Sequence, residues 1–94
     1  MSAISWSRHG KYWTLTWCCD KTVVTAVGDD SIETLYILRD GDYLHLIYIN
    51  NNKEIRDLYV LAKPAYINTI VDKYTTLRSL LEAVKDEFPV VAIG

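Results

Sequence analysis

The stretch Tyr43 to Ala62, YLHLIYINNNKEIRDLYVLA, constrains the fold of this 94-residue chain more than any other. Tyr, Ile, Val and Leu dominate both arms, and Asn50-Asn51-Asn52 between them tolerates the left-handed backbone of a tight turn, so the stretch reads as a β-hairpin. Upstream, Thr34 to Arg39 meets Asp40-Gly41, a second short hairpin signal. Three strands therefore form a meander with Tyr43 to Ile49 in the middle. A two-residue loop at Asp40-Gly41 sets Leu38 opposite Tyr43 and Tyr36 opposite His45. A turn symmetric about Asn51-Asn52 sets Ile49 opposite Glu54, His45 opposite Leu58 and Leu44 opposite Tyr59. One face then carries Leu35, Ile37, Leu44, Leu46, Tyr48, Ile55 and Tyr59, interrupted by Asp57. The other carries Thr34, Tyr36, Leu38, Tyr43, His45, Ile47, Arg56, Leu58 and Val60, apolar in body with polar tips.

Lys11 to Cys18 alternates strictly, which places Trp13, Leu15, Trp17 and Cys19 on one side of a strand. Asp20-Lys21 reads as a turn and Thr22 to Val27 as a β-branched strand ended by Gly28 to Ser31. Residues 1–10 read as a loosely ordered lead-in from which Trp6 can dock on the sheet. Beyond Lys63 the period changes. Pro64 suits a first helical turn, and Tyr66, Ile67, Ile70 and Val71 form a helical face. Thr75 or Thr76 caps a second helix with Leu77, Leu80, Leu81 and Val84 inside, and Pro89 stops it before VVAI, a short edge strand or apolar tail. The expected architecture is α+β: an antiparallel sheet of about five strands followed by two C-terminal helices packed on one face, as a single domain over residues 11–94.

Ten basic against twelve acidic residues, pI near 5.5, argue against a nucleic-acid backbone or an anionic membrane as partner. No stretch is long enough to span a bilayer, and MSAISWSRHG lacks a signal-peptide core, so a cytoplasmic location is expected. Cys18 and Cys19 point to opposite faces in extended geometry and read as buried small hydrophobes. No Cys-x-x-Cys, helically spaced His pair, calcium loop or phosphate-cradling glycine run is present, so no metal and no cofactor is expected. His45, mid-strand in an apolar run, reads as a structural histidine, and His9 as a solvated one. No catalytic residue is assigned and an enzyme is not expected.

Trp6, Trp13, Trp17 and seven tyrosines are the feature that exceeds a minimal domain, and such residues anchor interfaces. The expected partner-binding residues are Tyr36, Tyr43, His45 and Arg56 on the polar-tipped face, with Asp29, Asp30, Asp40 and Asp42 in the acidic turns. Tyr74 to Leu81, YTTLRSLL, following a strand meander, resembles the helix start of an uncharacterised family of small bacterial and phage α+β domains, over residues 43–86. By type, a short acidic domain without catalytic motifs is similar to phage anti-CRISPR and other anti-defence proteins. That resemblance implies a cytoplasmic inhibitor that blocks a host protein or ribonucleoprotein nuclease complex by occupying its surface. An immunity protein or antitoxin, and self-association into a homodimer through the second sheet face or an edge strand, are the rival readings, with an enzyme using His45 or a cysteine (Cys18 or Cys19) ranked last.

Overall fold

Seven strands of one antiparallel sheet, in strict sequence order, make up most of the chain; the computed structural model describes residues 1–62 and 69–93. The strands are β1 (Ser2–Arg8), β2 (Lys11–Cys18), β3 (Lys21–Val27), β4 (Ile32–Asp40), β5 (Tyr43–Asn50), β6 (Ile55–Val60) and β7 (Val90–Ile93). One helix, α1 (Leu77–Glu87), and a 3-10 turn (Val71–Lys73) complete the described residues.

Among the described residues, the expectation of about five strands and two helices is therefore corrected to seven strands, one helix and a 3-10 turn. At the amino end, residues 1–10 are β1 and its turn, not a loose lead-in. Ile4 and Trp6 alternate with small residues, and His9 and Gly10 both take positive φ, 52° and 71°, the backbone of a hairpin turn twisted to match its strands. At the carboxyl end, VVAI pairs with β6. The first expected helix falls chiefly on residues 63–68, outside the described residues, and the chain continues through helical Thr69 and Ile70 into the 3-10 turn.

Register separates the two central hairpins. Asp40 pairs with Tyr43, so Gly41-Asp42 is the loop; Leu38 faces His45 and Tyr36 faces Ile47. This offset of two from the expected pairing keeps every side chain on its side. In the next hairpin Ile49 pairs with Ile55, His45 with Tyr59 and Leu44 with Val60. That offset of one turns all of β6 over. The cause is a three-residue loop: the Lys53 N–H donates to the Asn50 carbonyl at 3.2 Å, the Asn50 N–H to the Glu54 carbonyl at 3.2 Å, and Lys53 takes φ 64°. Asn50 Oδ1 braces it by accepting from the N–H groups of Asn52 and Glu54, both at 3.0 Å. Leu58 and Val60 thereby join the core, and Asp57 and Tyr59 leave it.

The core lies between one sheet face and α1. Trp13, Leu15, Val24, Ala26, Leu35, Ile37, Leu44, Leu46, Tyr48, Leu58 and Val60 meet Ile70, Val71, Leu77, Leu80, Leu81 and Val84. The helical spacing of the last four matches the expected apolar face, and all are buried. Thr76 caps α1, its Oγ1 accepting from the Ser79 N–H at 3.0 Å, and the chain turns extended at Phe88 before Pro89. Trp6 stacks on Trp13 with ring centroids 6.0 Å apart, whereas Trp17 lies at the margin beyond the helix, 39% exposed. The sheet's two edges differ. β1 offers seven residues with unbroken register and no proline, lysine or bulge, while β7 is four residues long with a register shift against β6. No helix among the described residues is long and apolar enough to cross a membrane.

Candidate functional site

The sheet face opposite α1 carries Tyr12, Val23, Val27, Ile32, Tyr36, Leu38, Tyr43, Ile47, Ile49, Ile55 and Tyr59, and none of its side chains is buried. Alternation along each strand puts them there, because the same alternation commits their neighbours to the core. Two ladders cross the middle of this open face: Val23, Tyr36, Ile47 and Asp57 from β3 to β6, and Lys21, Leu38, His45 and Tyr59 beside it. The His45 ring stacks on Tyr59, centroids 4.1 Å apart and 12° from parallel, and its Nε2 is hydrogen-bonded to the Asp57 carboxylate. Lys21 Nζ lies 5.6 Å from the centroid of the Tyr36 ring. The polar tips of His45 and Lys21 are thus each held against an aromatic ring, which orders this part of the surface before anything binds.

Tyr36, Tyr43 and His45 share this face. Arg56 does not: with β6 turned over it lies on the helix side, its Nη2 3.3 Å from Glu54 Oε2, which also pairs with Arg78 at 3.1 Å. The acidic residues divide into two groups. Asp29 and Asp30 sit in the β3–β4 turn and Asp40 and Asp42 at the β4–β5 turn, at opposite ends of β4, about 27 Å apart at the rise of an extended chain. Asn51 fastens the first group, its Nδ2 donating to the Asp30 carbonyl at 3.2 Å. Asp57, Tyr59, Lys21 and Ile47 complete the open-face cluster and were not singled out from sequence. The visible signal was Asp57 itself, a carboxylate interrupting an apolar face under the expected register.

On the helix side a second polar cluster surrounds Glu33, 6% exposed. The Tyr48 hydroxyl donates to Glu33 Oε2 at 2.7 Å, and the Leu77 and Arg78 N–H groups donate to its two oxygens at 3.3 and 3.2 Å. Lys11 Nζ lies 3.7 Å from Oε1 and donates to the Thr75 carbonyl at 3.1 Å. A strand carboxylate thus satisfies the first amide groups of α1 from 44 residues away, where the helix dipole favours negative charge. Every oxygen is committed to the fold, so this cluster joins layers and offers no free group for chemistry. Burial, and then the bond to Glu33, raise the Tyr48 pKa from 10 to about 12. Its contribution to stability is present below pH 10 and is lost as pH rises through about 12. The shift corresponds to roughly 3 kcal/mol. The difference in urea-unfolding free energy between the wild type and Tyr48→Phe should therefore shrink between pH 9 and pH 12.

Two further features bear on chemistry. A hollow of about 640 Å³ opens at the β1 margin on the helix side, lined by Ile4, Trp6, Arg8, Trp17 and Asp72 among others, with Arg8 Nη1 3.9 Å from Asp72. Cys18 and His45 face the same side three strands apart, about 14 Å at the usual strand spacing. Among the described residues no group of three or more His, Cys, Asp or Glu is placed to hold a metal.

The described residues form two layers: one seven-stranded meander with a helix on one face, and an aromatic-rich other face that no described residue covers. Comparison with protein-family models, curated proteins and solved structures yields no match, so the functional reading rests on this geometry.

Proposed function

We propose that this protein is a binding module that works in the cytoplasm by laying its open sheet face on another protein. The observation that supports the reading is the ordered apolar surface around Tyr36, His45, Ile47 and Tyr59, left without cover by the described residues. Aromatic side chains held in place bring large contact area at small entropic cost. The protein's two longer dimensions are 35 and 28 Å, and a face of that size matches the ~800 Å² per partner of a stable interface. In this reading the protein inhibits its partner by occupation, and a host nuclease complex is the partner class we favour. Asp29-Asp30 and Asp40-Asp42 would then flank the contact from two ends and steer it toward a basic surface.

The test is capture from host lysate with the wild type, Ile47→Asp and Arg78→Ala, the last on the helix side. A partner retained by the wild type and Arg78→Ala, and lost at least 100-fold with Ile47→Asp, supports the open face. Equal capture by all three overturns it. Reversing Asp29, Asp30 and Asp42 to lysine separates the steering role, which should slow association several-fold at low salt and little at high salt.

A further inference from the structure

The two adjacent cysteines do not sit as an extended strand would place them. Cys18 ends β2, but Cys19 opens the two-residue loop to Lys21 with φ 60°, and this left-handed step swings its side chain back toward its neighbour. Their sulfurs lie 3.0 Å apart, both thiols are free, and neither residue is buried. The loop is pinned from the far side by the Arg39 N–H, which donates to the Asp20 carbonyl at 2.9 Å. Cys19 also lines a hollow of about 220 Å³, together with Trp17, Ile37 and Leu44 and the polar Asp20, Lys21, Thr22 and Arg39.

We propose that Cys18 and Cys19 form a bidentate site for a thiophilic centre of the trivalent-arsenic class, with the adjoining hollow taking an aryl or alkyl substituent on that centre. The first reason is geometric. A centre that bonds two sulfurs needs them on one side of the chain and already near each other, and the left-handed Cys19 supplies this without refolding. The second reason is chelation: once one sulfur has bonded, the other is held at high effective concentration, which raises affinity over a single thiol by about 10²–10⁴-fold. The third is the hollow, where Trp17, Ile37 and Leu44 offer apolar contact to a small ring that would otherwise stay in water. Hydrogen bonding with Cys18, then the charge of that neighbour, raises the Cys19 pKa, so the Cys19 sulfur holds its proton near neutral pH until the centre displaces it. With phenylarsine oxide both S–H bonds and the As–O bond break, two As–S bonds form, and the two protons leave with the oxygen as one water. Arsenic stays trivalent throughout and no external oxidant or reductant takes part.

The experiment uses the reduced full-length chain and phenylarsine oxide, read by intact mass and by titration of free thiols. The expected result is one arsenical per chain, loss of both titratable thiols together, and reversal by ethanedithiol but not by an equal concentration of a monothiol. Cys18→Ser and Cys19→Ser should each weaken binding at least 100-fold and make the residual adduct reversible by monothiol. Trp17→Ala, which keeps both sulfurs, should weaken phenylarsine oxide several-fold while leaving inorganic arsenite unchanged, which separates the hollow from the sulfurs. Two thiols that remain independently titratable in excess reagent, or a single-cysteine variant that binds as tightly as the wild type, would overturn the site.

Discussion

Replacing Glu33 by alanine lowers the unfolding free energy by about 3–5 kcal/mol, the range for breaking a buried charged hydrogen-bond cluster by removing one member. The substitution strips partners from three donors at once: the Tyr48 hydroxyl and the amide groups of Leu77 and Arg78, the first two in buried positions. It also leaves Lys11 Nζ with the Thr75 carbonyl alone among its described partners. Water cannot replace the carboxylate without opening the contact between β4 and α1, so the loss falls on the packing of Leu77, Leu80 and Leu81 as well. Glu33→Gln restores acceptor oxygen but not charge, and costs less, about 1–2 kcal/mol, the scale of a charge at a helix amino end plus a weakened ion pair. Urea denaturation followed by circular dichroism measures both. A loss below about 1 kcal/mol for the alanine variant would contradict the fastening role, since even one orphaned buried donor costs that much.

Deletion of Lys53 abolishes the cooperative fold. The loop between β5 and β6 shrinks from three residues to two, and every side chain of β6 then points the other way. Leu58 and Val60 move to solvent, forfeiting about 1.5–3 kcal/mol each, and Asp57 is driven toward α1 as an unpaired carboxylate at a further cost of several kcal/mol. Together these match the whole stability of a typical domain of this size, about 5–15 kcal/mol. Lys53→Gly has the opposite sign. It keeps the loop length and removes the steric penalty of a left-handed lysine at φ 64°, raising stability by about 1 kcal/mol. Thermal melts of the two variants beside the wild type decide the matter: a cooperative transition in the deletion variant near the wild-type temperature would show that the register does not depend on loop parity.

What was legible in the sequence was local. α1 could be read from Thr76 to Pro89 because its cap, its spacing of Leu77, Leu80, Leu81 and Val84, and its stop all lie within one short segment. The alternation of Lys11 to Cys18 likewise announces β2 without help from elsewhere. The misreadings share one physical cause. Among the described residues three that are not glycine, His9, Cys19 and Lys53, carry positive φ, each in a different hairpin turn. A histidine, a cysteine and a lysine do not advertise that backbone as Gly or Asn does. So the sequence reads β1 as a lead-in, sets the cysteines on opposite faces, and pairs β6 one residue out. Gly41, which does advertise its φ of 64°, misled only by an even offset that moved no side chain across the sheet. Of the candidate site, Tyr36, Tyr43 and His45 could be grouped from alternation alone, whereas Asp57 and Tyr59 were hidden behind the Lys53 loop. Glu33 had no local signal at all, since the helix amide groups it bonds lie 44 and 45 residues further on.

The unequal margins of the sheet set its valence for strand addition. β1 is long, regular and bare of the residues that discourage pairing, while β7 is short and irregular. A sheet competent at both margins can recruit copies without end and grow a fibre. One competent at a single margin is monovalent: a second copy that joined β1 through its own β1 would leave only β7 at each end and terminate the ladder. Association of copies through β1 would therefore stop at a pair, and such a pair would leave the open face exposed.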